Sequence, residues 1–150
     1  MILIIVAAIL LLDQAAKFLI SKYLSLGQSL PVIKGVLRLT LVHNRGAAFG
    51  LFKGGGVFFI LVAVVVAALV YSNLKKQGWH KISLNSVALS LILAGALGNL
   101  IDRARFGYVI DFLDFIIWPV FNVADSVVTV GAILLTYSML VSNKNNKTVE

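Results

Sequence analysis

The sequence predicts an all-α membrane protein, a four-transmembrane-helix bundle with a small extracytoplasmic β-sheet between helices one and two. Of the 150 residues, 60% are hydrophobic and 13% are charged, whereas a soluble domain is closer to half apolar and a quarter charged. Four apolar segments approach the roughly 20 residues that a membrane-spanning helix needs, and a strand pattern lies between the first two. The length suits one integral membrane domain over residues 1–150.

Four helices account for most of the chain. We expect them at about residues 2–20, 57–74, 82–101 and 123–141, followed by a polar, disordered C-terminal tail over residues 142–150. The first segment lacks the basic start and the small-residue cleavage site of a secretory signal, so we interpret it as a retained helix. The second contains no charged residue, which is typical of a lipid-facing or packing helix.

Between the first two helices, residues 37–41 alternate apolar and polar side chains with the period of two that is typical of a half-buried strand. In such a strand Arg38 and Thr40 face one side, and the three leucines face the other. This pattern predicts a small sheet that lies at the membrane surface.

The basic residues predict contact with lipid and an orientation in the membrane. The formal net charge is +7, and anionic lipid head groups are a better partner for it than nucleic acid, because no soluble basic domain is present. The loop between helices two and three holds three lysines and the tail holds two. The positive-inside rule therefore places both termini in the cytoplasm. The two outer connections hold seven lysines and arginines, and a plain count would invert the protein; we discount those that lie in a structured loop or pair with aspartates.

Five of the six acidic residues lie within or beside apolar segments: Asp13, Asp102, Asp111, Asp114 and Asp125. Placing a carboxylate in hydrocarbon costs about 2.5–3.5 kcal/mol even on a lenient insertion scale. We therefore expect the structure or the function of the protein to require these residues. The chain has no cysteine, which excludes disulfides, thiol catalysis and cysteine-held metals. Its two histidines are too few for a histidine-rich metal site.

Two polar blocks lie in the first half of the chain. Asp13 and Lys17 are four residues apart and share a helix face, either as an ion pair near the helix end or as a pair that orients a buried polar site. Asn44 and Gly46 belong to the segment N-R-G-A-A-F-G, whose small residues permit close backbone approach. A turn with a small packing face is the alternative explanation of that segment.

A third block lies at the end of the third helix. Asn99, Asp102 and Arg103 are spaced i, i+3 and i+4 and therefore share one face. Gly95 and Gly98, on the preceding turns, permit tight contact between helices. A purely structural polar cluster is the alternative to a functional one.

The last two blocks hold Asp111, on the loop after the third helix, and Asn122 with Asp125, in the first turn of the fourth. Each aspartate alone has an ordinary explanation, as an interfacial loop residue or as a partner of the helix dipole. The sequence contains no nucleophile elbow, no evident Ser–Lys pair and no H-E-x-x-H spacing, so a carboxylate dyad is the hydrolytic machinery it can supply. In such a dyad the ionised member activates water and the protonated member polarises the carbonyl. The helix amides favour Asp125 as the base, which leaves Asp111 as the acid.

Five blocks resemble those of lipoprotein signal peptidase (signal peptidase II), a family of bacterial membrane aspartyl proteases. They are D-Q-A-A-K, N-R-G-A-A-F-G, G-A-L-G-N-L-I-D-R, V-I-D-F and F-N-V-A-D-S, and the likeness covers nearly the whole chain. The resemblance implies that Asp111 and Asp125 are catalytic, in agreement with the dyad inferred from the residues. It also implies a four-helix bundle with a small surface sheet and a short mobile segment over the site.

By position, the resemblance implies a structural role for Asp102 and substrate-binding or dyad-supporting roles for seven other residues. The seven are Asp13, Lys17, Asn44, Gly46, Asn99, Arg103 and Asn122.

The resemblance also implies the reaction and its setting. Such an enzyme removes the signal peptide from a diacylglyceryl-modified prolipoprotein, cleaves just before the lipidated cysteine, and uses no metal and no cofactor. It lies in the bacterial inner (cytoplasmic) membrane with the active site toward the outer face, and globomycin-type cyclic peptides inhibit it. We expect a monomer that contacts membrane lipids and no nucleic acid.

Two other classes of protein place charged residues inside a membrane. A small transporter or proton-relay subunit would use them as a proton path and predicts an inverted repeat or broken helices. The second helix has no ionisable residue to mirror the fourth, so no such repeat is visible. A scaffold protein would use the polar cluster only to hold helices together, and it predicts that Asp111→Asn and Asp125→Asn are tolerated.

Overall fold

The computed structural model describes residues 2–46, 56–77 and 83–147. In chain order the elements are α1 (Ile2–Tyr23), β1 (Ser29–Ile33), β2 (Leu37–Asn44), α2 (Gly56–Gln77), α3 (Leu84–Phe106), β3 (Val109–Asp114) and α4 (Val123–Lys147). The prediction of a mostly helical chain with a small sheet is confirmed. The A-A-F-G part of the second polar block, residues 47–50, and the predicted start of helix three at residue 82 lie outside the described residues.

Three of the described helices are long and apolar enough to cross a membrane: α1, α3 and the Val123–Val141 part of α4. Many apolar side chains of α1 and α4 face outward; Leu11 is 72% exposed and Leu140 is 67% exposed. A lipid-facing surface explains this exposure, because hydrocarbon solvates such side chains well.

Helix α3 is the centre of the bundle, because it packs against α1, α2 and α4. The apolar core joins three helices through Ile2, Val6, Val70, Leu74, Leu89, Leu93 and Ala94. Ser83 and Ser86 form a reciprocal capping box at the start of α3, and Gly107 ends the helix with a left-handed φ of 77°. These local signals fix both ends of the helix that carries the third polar block.

Two glycines of α3 allow the neighbouring helices to approach closely. A Cβ at Gly95 would overlap the backbone carbonyl oxygen of Ala124 and the side chain of Val128, both in α4. A Cβ at Gly98 would lie 2.7 Å from Oδ2 of Asp13 in α1. The predicted close helix contact at these positions is therefore confirmed.

The sheet has the order β1-β2-β3, and both neighbouring pairs are antiparallel. Arg38 lies opposite Asp114 in the register of β2 and β3, and both Arg38 and Thr40 bind Asp114 Oδ2, at 3.0 and 2.7 Å. Leu41, on the other face of β2, is buried. The strand pattern at residues 37–41 is thus confirmed, and β2 extends it to Asn44.

The prediction that Asp111 lies on a loop was wrong, because Asp111 and Asp114 both belong to strand β3. The sheet therefore draws a strand from between α3 and α4 as well as two from between α1 and α2. The sequence V-I-D-F-L-D gives no polar–apolar alternation, because each face of this strand carries one aspartate among apolar side chains. Five of its six residues are buried, so burial on both faces hides the period-two signal.

The predicted end of the fourth helix at residue 141 and the disordered tail after it also need correction, because α4 continues to Lys147. The sequence predicted the end at residue 141 because the residues after it are polar. Helical hydrogen bonding does not require apolar side chains, and lysine is a good helix former.

A buried ion cluster ties α1 to α3. Lys17 is only 2% exposed, and its Nζ lies 2.8 Å from Asp13 Oδ2 and 2.8 Å from Asp102 Oδ2. Gln14 Nε2 donates to Asp102 Oδ1 at 3.0 Å. Asp102 Oδ2 also accepts the backbone N–H of Ile110 at 3.1 Å, so the cluster fixes β3 against the helices.

Lys17→Met is expected to lower the free energy of unfolding by about 3–5 kcal/mol, because two buried carboxylates would lose their shared cation. The matched control is Lys22→Met, in the exposed last turn of the same helix, which should change stability little. Denaturation of both variants in detergent measures the difference. Equal stability of the two variants would contradict the prediction.

Gly95→Ala is expected to destabilise the bundle by about 1–3 kcal/mol, because the added methyl group meets the backbone of α4. Ala104→Leu adds more volume at an exposed position of the same helix and should have a smaller effect. Thermal unfolding of the two variants in detergent tests this, and a larger loss for Ala104→Leu would refute it.

Candidate active site

Asp111 and Asp125 meet at one polar site although they come from different elements. Asp111, on β3, is 1% exposed, and Asp125, in the first turn of α4, is half-buried. The two share Asn122 as a partner. Asn122 Nδ2 donates to Asp111 Oδ1 at 2.7 Å, and its backbone N–H donates to Asp125 Oδ2 at 3.3 Å.

The start of α4 builds this geometry. Asn122 precedes the helix, and its Oδ1 accepts the backbone N–H of Asp125 at 2.8 Å. Together with the reciprocal bond to Asp125 this forms a capping box. Asp13 of α1 accepts the backbone N–H of Ala124 at 2.9 Å, which satisfies another free amide of the first turn. The side chains of Asn122 and Asp13 therefore fix the first turn of α4, which carries Asp125.

Asn44 approaches Asp111 from strand β2. Its Nδ2 donates to Asp111 Oδ2 at 2.8 Å, and its Oδ1 accepts the backbone N–H of Gly46 at 3.0 Å. The bond from Gly46 fixes which end of the amide faces the carboxylate. Each oxygen of Asp111 thus accepts a hydrogen bond from a different asparagine.

Asn99 connects Asp125 to the buried ion cluster. Its Nδ2 donates to Asp125 Oδ1 at 2.7 Å, while its Oδ1 accepts from Lys17 Nζ at 3.1 Å and from Asn122 Nδ2 at 3.1 Å. A flipped Asn99 would direct its NH₂ group at an ammonium ion. Lys17 therefore determines that Asn99 presents N–H to Asp125.

Arg103 lies one turn after Asn99 on α3 and is half-buried. Its Nη1 donates to the backbone carbonyl oxygen of Asn99 at 3.5 Å. Its guanidinium interacts electrostatically with the carboxylates of Asp125 and Asp111. It supplies positive charge near the pair.

The surroundings of Asp111 favour its protonated form. Burial and, after it, the negative charge of Asp125 raise the pKa of this carboxyl to about 7. Hydrogen bonds from Asn44 and Asn122 and the charge of Lys17 oppose the shift. Near neutral pH the site therefore contains one carboxyl that gains or loses its proton readily, beside a second carboxylate.

The structure gathers all ten residues that the sequence singled out into one connected network. Asp111, Asp125, Asn44, Asn99, Asn122 and Arg103 surround the pair, Gly46 orients Asn44, and Asp13, Lys17 and Asp102 form the cluster beneath it. Gln14 was missed as a partner within this network, and Asp114, which lies outside it, was misplaced. Gln14 bonds to Asp13 and Asp102, which its place in D-Q-A-A-K could have suggested. Asp114 was expected on a loop, and its bond to Arg38 depends on the unforeseen strand β3.

A cavity of about 370 Å³ opens beside Asp125, with Trp118 and Phe121 among its lining residues. It gives water access to Asp125, the exposed member of the pair. Within the described residues no group of histidine, cysteine or acidic side chains has the arrangement of a metal site. Two coupled carboxyls with access for water are equipped for general acid–base hydrolysis.

Comparison with known proteins connects this site to a protein family. The family model described as signal peptidase (SPase) II matches residues 5–141. The lipoprotein signal peptidase of Halothermothrix orenii is 50% identical over 136 residues, which cover 90% of this chain and 92% of that protein. The lipoprotein signal peptidase of Caldanaerobacter subterraneus is 51% identical over 142 residues, which cover 93% and 96% of the two chains.

Solved structures show the same architecture. A bacterial membrane enzyme solved by the in meso method at 2.3 Å resolution matches with a TM-score of 0.87 and 37% identity, over 96% of this chain and 90% of the other. A second, at 1.9 Å resolution, matches with a TM-score of 0.81 and 38% identity, over 93% and 92%. With the family model covering nearly the whole chain, these matches show that the protein belongs to the signal peptidase II family of membrane proteases.

Proposed function

We propose that this protein is an intramembrane aspartyl endopeptidase that removes the signal peptide from diacylglyceryl-modified prolipoproteins, cleaving just before the lipidated cysteine. The observation that carries the proposal is the coupled pair of carboxyls, Asp111 and Asp125, which share Asn122 as a hydrogen-bond partner. Membership of the signal peptidase II family supports the substrate, since its curated relatives are named lipoprotein signal peptidases.

In the proposed reaction Asp125 is the base and Asp111 is the acid. Asp125 takes a proton from water, whose oxygen adds to the scissile carbonyl carbon, while the protonated Asp111 donates a hydrogen bond to the carbonyl oxygen. The C–N bond of the tetrahedral intermediate then breaks, and the proton held by Asp125 passes to the leaving amine. The pKa of Asp111, raised to about 7 by burial and by Asp125, supports its role as the neutral member.

The remaining polar residues position the pair and the substrate, and the reaction uses no metal and no cofactor. Asn44, Asn99 and Asn122 hold the carboxyl oxygens, and Gly46 fixes Asn44. The guanidinium of Arg103 supplies positive charge beside the carboxylates. Asp13, Lys17 and Asp102 maintain the helix contacts beneath them.

We place the protein in the bacterial inner (cytoplasmic) membrane as a monomer with four crossings, α2 being the second. Helix α2 has 22 residues and no charge from Val57 to Leu74, which is enough to span the hydrocarbon core. Both termini are then cytoplasmic, and the sheet and the active site face the outer leaflet. Membrane lipids surround the bundle, and globomycin-type cyclic peptides are the expected inhibitors.

Asp111→Asn and Asp125→Asn should each lower the cleavage rate by at least about 10³-fold, because each removes one of the two proton-transfer groups. Asp114→Asn is the matched control, since Asp114 lies on the same strand but binds Arg38 and Thr40 instead. A gel-shift assay with a diacylglyceryl-modified prolipoprotein in detergent measures all three. Full activity of either well-folded dyad variant would remove that aspartate from the mechanism.

Activity should fall as the pH rises through about 7, because the raised pKa of Asp111 means that its protonated form is lost there. Asn44→Ala removes a hydrogen bond that lowers this pKa, so the alkaline limb of the rate profile should move to higher pH. Initial cleavage rates between pH 5 and 9 give both curves, with apparent pKa values assigned to the pair. A shift of the limb to lower pH in Asn44→Ala would contradict the assignment of the acid.

A further inference from the structure

A groove runs along the outward face of α4, starting at the active site. The cavity beside Asp125 has a volume of about 370 Å³, and its lining residues on α4 are Asp125, Ser126, Thr129 and Val130. A second, shallow cavity of about 400 Å³, open to the outside, follows along the helix and is lined by Ala132, Ile133, Thr136, Tyr137 and Leu140. These positions recur every three to four residues and therefore share one face. We call the two cavities together the α4 groove.

The α4 groove is more apolar than its sequence suggests. Ser126, Thr129 and Thr136 each donate their hydroxyl hydrogen to the backbone carbonyl oxygen four residues earlier, at 2.9 Å in every case. Their donors are thus satisfied within the helix. The aliphatic side chains between them face outward; Val130 is 48% exposed and Ile133 is 63% exposed. Between Asp125 and Tyr137, the groove therefore offers a binding partner mainly hydrocarbon contact.

The dimensions of the groove suit an extended hydrocarbon chain. From Asp125 to Tyr137 the helix rises about 18 Å, slightly more than half of the roughly 30 Å hydrocarbon core, which is the depth of one leaflet.

The groove is accessible from the side. Among the described residues α3 packs against both α2 and α4, whereas α2 and α4 do not contact each other. A chain anchored in the bilayer can therefore reach the face of α4 without leaving hydrocarbon.

We propose that the α4 groove binds an acyl chain of the diacylglyceryl group on the substrate cysteine. The inference rests on the proposed function, because that cysteine adjoins the scissile bond, so its lipid begins at the pair of aspartates. The groove starts at the same point, since Asp125 itself lines the upper cavity. Val130 and Ile133 are then specificity-determining residues, which let the enzyme recognise the lipid of its substrate.

Ile133→Trp tests the proposal by filling the lower cavity at an exposed position. We expect KM to rise at least fivefold for a prolipoprotein peptide carrying 16-carbon acyl chains, with kcat almost unchanged. The effect should vanish for the same peptide carrying 4-carbon chains, which end before Ile133. Met139→Trp is the matched control, because Met139 is equally exposed at 62% but lies outside the groove; it should leave both constants unchanged.

Three outcomes would overturn the proposal. An unchanged KM in Ile133→Trp would show that nothing occupies the lower cavity. An equal rise in KM for both chain lengths would assign the groove to the signal-peptide helix. An equal effect of Met139→Trp would indicate a general disturbance of α4.

A binding measurement separates this proposal from the proposed function. The catalytically impaired Asp111→Asn variant is irradiated with the 16-carbon peptide bearing a diazirine at the end of one acyl chain. We expect crosslinks at residues 133, 136, 137 and 140. Crosslinks at these residues support the groove even if the wild type never cleaves the peptide, an outcome that refutes the proposed function alone. Crosslinks confined to α1 or α2 would refute the groove.

Discussion

The buried ammonium group of Lys17 is the contact on which the rest of the site depends. It binds Asp13 of its own helix and Asp102 of α3 at 2.8 Å each, and all three side chains are at most 2% exposed. Isolated, each charge would be costly to bury; together they leave one net negative charge. The amide N–H of Ala124 at the start of α4 donates to Asp13 and partly offsets that charge. The cluster thereby fixes the relative positions of α1, α3, α4 and β3.

From this cluster outward, each asparagine is oriented by a donor on its far side. Lys17 donates to Asn99, the backbone of Asp125 donates to Asn122, and that of Gly46 donates to Asn44. The amide oxygens are thereby occupied, so the NH₂ groups point at carboxyl oxygens. An amide also suits a carboxyl that exchanges a proton, since it adds no charge that would hold the carboxyl permanently ionised. A lysine at any of these positions would lower the raised pKa that the proposed acid role of Asp111 requires.

The sequence was sufficient for the parts of the fold that have strong local signals. The apolar runs predicted the helices, and the alternation at residues 37–41 predicted β2. Spacing placed Asp13 with Lys17 and Asn122 with Asp125, because such contacts lie within one helical turn. The contacts that join distant segments, such as Gln14 to Asp102 or Asn44 to Asp111, have no periodic signal. Strand β3 also has no periodic signal, because both of its faces are buried. Strand β1 was missed because it is an exposed edge strand that contains Pro31.

Unequal exposure distinguishes the two carboxyls. Asp111 lies in β3, enclosed by α1, α3 and β2, whereas Asp125 faces the cavity that opens beside Trp118 and Phe121. Burial favours the neutral form of Asp111, the proposed acid, and the cavity gives a water molecule access to Asp125, the proposed base. The same cavity is the upper part of the α4 groove. A substrate whose lipid lies in that groove would therefore meet Asp125 first, with its carbonyl between the exposed base and the buried acid.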